Sequence, residues 1–149
     1  MSSRLLRIAV VYWVVAVCWG IYMGATEDFT DIPVHAHLNL LGWVSLGLCG
    51  IIYAQAPHLA ETMLAKVHFW LHNLGLPPLM AAVYLIVNGK PEIGGPMAGI
   101  FSVVVGLAIL SFAVNLWLGG FPVAANQSEP AAPGNAAASM RSMSASLKP

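Results

Sequence analysis

Residues 34–54, Val34-His35-Ala36-His37-Leu38-Asn39-Leu40-Leu41-Gly42-Trp43-Val44-Ser45-Leu46-Gly47-Leu48-Cys49-Gly50-Ile51-Ile52-Tyr53-Ala54, contain no Asp, Glu, Lys or Arg. A hydrocarbon core of about 30 Å is crossed by about 20 mostly apolar residues wound as a helix. This run is long enough, and Pro33 before it suits a first helical turn. Three more stretches qualify, at about 5–24, 66–87 and 96–118. The sequence therefore predicts an all-α fold, a four-helix transmembrane bundle occupying residues 1–121. The chain is 58% hydrophobic and 8% charged, against about 25% charged in soluble domains. A formal net charge of zero gives no electrostatic support for nucleic-acid binding.

The first span could pass for a cleaved signal, but Trp19 and Tyr22 occupy the positions where small residues would mark cleavage. The expectation is a retained helix. Lys and Arg in the loops set orientation. With alternating helices, Arg4, Arg7, Lys66, Arg141 and Lys148 fall on one side, and only Lys90 falls on the other, beside Glu27, Asp28, Asp31 and Glu92. Both termini are then cytoplasmic in a bacterial-type inner (plasma) membrane. Residues 122–149, rich in Ala, Ser, Pro and Asn, read as a disordered cytoplasmic tail. Its Met140 and Met143 are thin support for copper binding. Cys18 and Cys49 lie in apolar runs without CxxC spacing and read as small hydrophobes.

The chemistry concentrates in five histidines: His35, His37, His58, His68 and His72. Ionisable residues inside spans are costly and point to function, and neutral imidazole is the commonest metal ligand. At about 100° per residue, His35 and His37 diverge by about 200° and face opposite flanks of one helix. Asn39 lies one turn from His35, within reach as a hydrogen-bond partner. The bland alternative is a pair that anchors the helix end at the interface. His68 and His72 share one face of the third helix at i, i+4, a spacing that chelates a metal or pairs a ligand with its hydrogen-bond partner. His68 is expected near the cytoplasmic interface, where an amphipathic ring is welcome without being a ligand. His58 falls in a loop and carries no role.

Depth bears on which rings share an ion. At 1.5 Å rise per residue, His35 and His37 come within about 5 Å of the outer boundary and His72 stands about 9 Å above the inner one. That leaves about 15 Å between them in a slab of about 30 Å. Axial ligands of one haem are only about 4 Å apart. A six-coordinate haem near the outer surface would then need a histidine from another copy of the chain.

The run His35-Ala36-His37-Leu38-Asn39-Leu40-Leu41-Gly42-Trp43 resembles the second helix of heme–copper oxidase subunit I, especially the nitric-oxide reductase and cbb3-type branches. The run His68-Phe69-Trp70-Leu71-His72-Asn73-Leu74-Gly75-Leu76-Pro77-Pro78 is similar to the start of that subunit's third helix. The resemblance covers about residues 5–118 and implies one four-helix arc of a twelve-helix subunit. It implies a low-spin haem ligated near the outer end of the second helix, with His35 favoured by spacing and His37 left open. The family's copper-ligating histidines and its sixth-helix His-Pro-Glu element have no counterpart. The family's tenth helix places two histidines one residue apart to serve two haems, and His35 and His37 repeat that pattern. The implied assembly is a homo-oligomer, a trimer restoring twelve helices, with haem b at each interface between His35 of one protomer and His37 of the next. Gly42, Gly47 and Gly50 would permit close helix contact, and Lys90 could meet haem propionates. The expected function is a redox haemoprotein, for electron transfer through an unknown redox partner or for chemistry on nitric oxide or oxygen. The alternatives are a gas sensor, an oxidase-assembly factor, or a haem-free copper- or zinc-binding membrane protein using His35, His37, His68 and His72.

Overall fold

The computed structural model describes residues 1–120, so the segment expected to form a tail lies outside the described residues. Five helices follow in order: α1 (Ser2–Thr26), α2 (Ile32–Gln55), the single turn α3 (Pro57–Ala60), α4 (Met63–Val87) and α5 (Pro91–Gly119). α1, α2, α4 and α5 are long and apolar enough to cross a membrane, and together they make an all-α four-helix bundle. Each expected span is present; three run further at both ends, and α4 starts earlier but ends at Val87 as expected. The N-termini explain part of the difference. Pro33, Pro57 and Pro91 sit in first turns, where the missing N–H costs nothing. Thr62 caps α4, its hydroxyl accepting from Ala65 N at 3.1 Å. Glu27, at φ 54°, stops α1, and Gly89, at φ 76°, makes the turn before α5.

Two buried clusters hold the bundle. At the end bearing Arg4 and Lys66, Leu5, Leu46, Tyr53 and Leu59 pack together; in the opposite half, Ala16, Leu38, Leu76, Leu79 and Val105 do so. The outer faces remain apolar. Val11, Val14 and Ile21 on α1, and Ile100, Val103 and Leu110 on α5, are all exposed. Apolar area this extensive is unfavourable in water and natural against lipid, so this is a multi-pass membrane protein.

Close packing depends on glycine where α2 crosses α1. A Cβ on Gly42 would lie 2.6 Å from Tyr12 Cγ, inside van der Waals contact with a ring backbone-anchored on α1.

From Leu38 to Ser45, α2 is wound as a π-helix. Side chains support the widened turn by donating to its carbonyls. Ser45 Oγ donates to Leu40 O at 2.7 Å, and Asn39 Nδ2 donates to His35 O at 2.9 Å. His72, on α4, takes Leu41 O at 3.0 Å. Inside a bilayer a carbonyl has no water to turn to, and these side chains give the carbonyls around the π-turn donors from within the protein.

Gly42→Ala should destabilise the bundle by about 1–3 kcal/mol, the usual cost of overpacking. Gly106, with nothing within 4 Å of the added carbon, should accept Ala at a cost within about 0.5 kcal/mol. Denaturant unfolding in bicelles measures both; equal effects would contradict the packing described.

Candidate functional site

The histidines divide by the state of their ring nitrogens. His35 has both engaged: Nδ1 lies 3.0 Å from Ala16 O on α1, and Asn39 Nδ2 lies 3.2 Å from Nε2. Since Ala16 O can only accept, Nδ1 carries the proton and Nε2 accepts from Asn39. The ring also packs against Gly20, where a Cβ would come within 2.9 Å of Cε1. His35 therefore bridges α1 and α2 and has no lone pair left for a ligand in this arrangement.

His37 differs. Its Nδ1 donates to Pro33 O at 2.6 Å, which leaves the lone pair on Nε2. That nitrogen has no protein partner among the described residues, and the ring is only half-buried. A ligating histidine usually has its other nitrogen fixed by a backbone carbonyl, and His37 meets that description without rearrangement. As a test of fit for haem, His37 can serve as an axial ligand, whereas His35 would first have to give up its bond from Asn39.

His68 and His72 are fully buried, at 0% and 1% exposure, with ring centroids 5.5 Å apart and planes at 89°. His68 thus lies inside the bundle rather than at the interface expected of it; α4 starts at Met63, so His68 sits more than a turn in. His72 Nε2 donates to Leu41 O at 3.0 Å, and His68 Nδ1 lies 3.4 Å from Tyr53 Oη. The remaining nitrogens, His68 Nε2 and His72 Nδ1, are buried without partners. Both residues line a cavity of about 260 Å³ together with Ser45, Cys49 and Phe112.

The contact between His72 and Leu41 also corrects the depth estimate. Leu41 follows His37 by four residues, about 6 Å along a helix axis, so the two rings are nearer in depth than the expected 15 Å. The spans start earlier than expected: Ile32 rather than 34 sinks His37 by about 3 Å, and Met63 rather than 66 lifts His72 by about 4.5 Å. What separates these rings is orientation. His72 turns its free nitrogen into the interior, and His37 presents its own near the surface.

Behind His68 runs a chain of polar but uncharged residues. Asn115 Nδ2 donates to Leu59 O at 3.0 Å and, over a longer 3.5 Å, to Tyr53 Oη; its Oδ1 accepts from Thr62 Oγ1 at 2.9 Å. The signal was present as an amide late in an otherwise apolar span. Cys49, expected to be a buried small hydrophobe, is buried and free, and it also lines the histidine cavity. His58, outside the site, reaches from α3 to Gly119 O at 3.2 Å.

Lys90 is exposed and forms no ion pair among the described residues. A larger cavity of about 580 Å³ opens near that end, between Trp19, Tyr22 and Tyr84, with Asp28 and Asp31 among its lining residues. Hydrogen bonding to Thr30 holds the Asp28 carboxyl below its ordinary range. No histidine lines this cavity, so volume and ligating chemistry lie in different places. Comparison with known proteins finds no family model, curated protein or solved structure that the chain matches.

Proposed function

We propose that the protein is a haem b-binding membrane protein in which His37 supplies an axial nitrogen and a second copy of the chain supplies the other. The observation that carries this reading is His37 itself, with Nδ1 anchored to Pro33 O and Nε2 free. The likeness of residues 35–43 and 68–78 to heme–copper oxidase subunit I supports haem as the group, with His35 rather than His37 favoured as its ligand by that likeness. Bound haem b would supply one-electron chemistry at iron, for electron transfer or for reaction with nitric oxide or oxygen where an iron position stays open.

Within the chain, Pro33 O fixes the His37 tautomer and ring orientation, and Leu40 presents an exposed apolar surface beside it. Because His35 is satisfied inside its own protomer, the simplest closed arrangement pairs His37 with His37 of a second copy. A two-fold interface brings the same residue from both sides to the axis and gives one haem per two chains. A ring joining His35 to His37 would give one haem per chain. Among the described residues, Lys90 is the one Lys or Arg at that end able to meet propionates. Orientation follows the Lys and Arg asymmetry, with both termini on the cytoplasmic side of a plasma membrane.

Purified protein should show a Soret band, and His37→Ala should abolish or convert it, because a methyl group cannot replace imidazole as a ligand. His35→Ala should keep the band while lowering stability by about 1–3 kcal/mol, since Ala16 O and Asn39 lose their buried partner. Haem quantified against chain should approach one to two. A wild-type spectrum in His37→Ala overturns the assignment, and one haem per chain favours the ring.

Cysteines introduced at positions 28 and 90 should react with an impermeant maleimide added outside intact cells, and one at position 61 should not. Labelling at 28 and 61 from the same side would contradict the orientation.

A further inference from the structure

The cavity between α2, α4 and α5 contains a chemical requirement that the outer histidine does not explain. His68 Nε2 and His72 Nδ1 are wholly buried and without partners. Each ring is tied down at its other nitrogen, His72 to the Leu41 carbonyl at 3.0 Å and His68 to Tyr53 Oη at 3.4 Å. Tyr53 Oη accepts from Asn115, so its own proton can go to His68 Nδ1; holding an ion at His68 Nε2 requires the other tautomer, protonated at Nδ1, in which both remaining nitrogens carry lone pairs. Two bare acceptors on one face of one helix, each backed by an oxygen, are what a metal ion asks of histidines, and the i, i+4 spacing is that of known helical chelates.

Distances agree. Two imidazoles bound to one first-row ion at about 2.0–2.1 Å per bond have ring centroids about 4.5–6 Å apart, and these stand 5.5 Å apart. An apolar occupant would leave both nitrogens unsatisfied, at the full cost of buried polar groups. The third donor is the Cys49 thiol, free, buried and lining the same cavity. No group of three His, Cys, Asp or Glu side chains is already gathered for a metal among the described residues. The histidine pair is thus the preformed part, and a three-ligand site requires Cys49 to move toward it from its place in the cavity lining.

Charge selects the ion. Among the described residues no carboxylate lines the cavity, and an uncompensated charge in this interior is expensive. A divalent ion with two neutral imidazoles and one thiolate leaves a net positive charge. A monovalent soft ion with the same ligands leaves none, and thiolate with imidazole suits copper(I). We propose that His68, His72 and Cys49 form a buried site for one copper(I) ion. Binding releases one proton from Cys49 to solvent and involves no electron transfer, because the ion arrives reduced. Tyr53 and Asn115 are positioning residues that hold His68. The site is independent of the haem reading, since His37 takes no part in it.

The test uses the full chain in nanodiscs, kept anaerobic and reduced, competing for copper(I) with a chromophoric chelator. One copper per chain is expected, with a nitrogen–sulfur first shell in X-ray absorption. His68→Ala and His72→Ala should each weaken binding by more than about 100-fold, and Tyr53→Phe by about 10–100-fold, the range for outer-shell partners. Cys49→Ser should remove the sulfur scatterer, and His37→Ala should change nothing. Failure to compete, zinc bound in preference to copper, or full binding by a folded His68→Ala/His72→Ala double variant overturns the proposal. Should the alanine variants not fold, the wild-type absorption edge decides: a shell without sulfur, or one of thioether sulfur only, also overturns it.

Discussion

The hydrogen bond from His72 Nε2 to the Leu41 carbonyl joins the two halves of this molecule at the depth where α2 departs from regular α-helical winding. A π-turn leaves carbonyls without their usual donors, and in lipid such groups must be satisfied from within the protein. His72 supplies one donor from α4, while Ser45 and Asn39 supply others from α2 itself. The consequences extend in both directions. Fixing His72 through Nε2 turns its Nδ1 into the interior beside His68. The Asn39 side chain that reaches back to His35 O also occupies His35 Nε2, committing that ring to α1. The π stretch thus lies between the ring committed to α1 and the ring that faces the interior cavity.

The polar groups of the bundle form two separate systems. Near the Asp28 and Lys90 end, His37 is the ring with a free nitrogen close to the surface, held by a carbonyl on its own helix. Deeper in, Thr62, Asn115, Tyr53 and His68 form a chain across α4, α5 and α2 that stops at the cavity. The apolar cluster around Leu5, which includes Tyr53 and Leu59, packs against this chain. The haem ligand proposed at the surface and the soft ion proposed in the interior would be different solutions to the same problem, an imidazole nitrogen with nothing to bind.

The four spans were legible because charge is absent from long runs, a property that needs no knowledge of packing. Their ends were less so. Proline at a first helical turn and the Thr62 cap extend helices beyond the apolar stretch, and those few residues halved the depth expected between His37 and His72. The divergence of His35 and His37 followed from helical geometry alone, but which of them is free did not. That depends on Ala16 and Gly20 of α1, which no pattern within residues 34–54 specifies. The pairing of His68 with His72 was visible as i, i+4 spacing, whereas their burial and the approach of Cys49 arise only when α2, α4 and α5 pack together. Asn115 and Tyr53 were overlooked because polar but uncharged residues register weakly in a hydropathy profile.

The account turns on a free His37 nitrogen that needs a second chain to complete its coordination. Electron paramagnetic resonance of the ferric, haem b-loaded full chain, recorded on separated dimeric and monomeric fractions, tests this directly. A low-spin, two-imidazole signal is expected in the dimer and a high-spin signal in the monomer, where one axial position lacks its histidine. A low-spin, two-imidazole signal that persists in the monomer would contradict it.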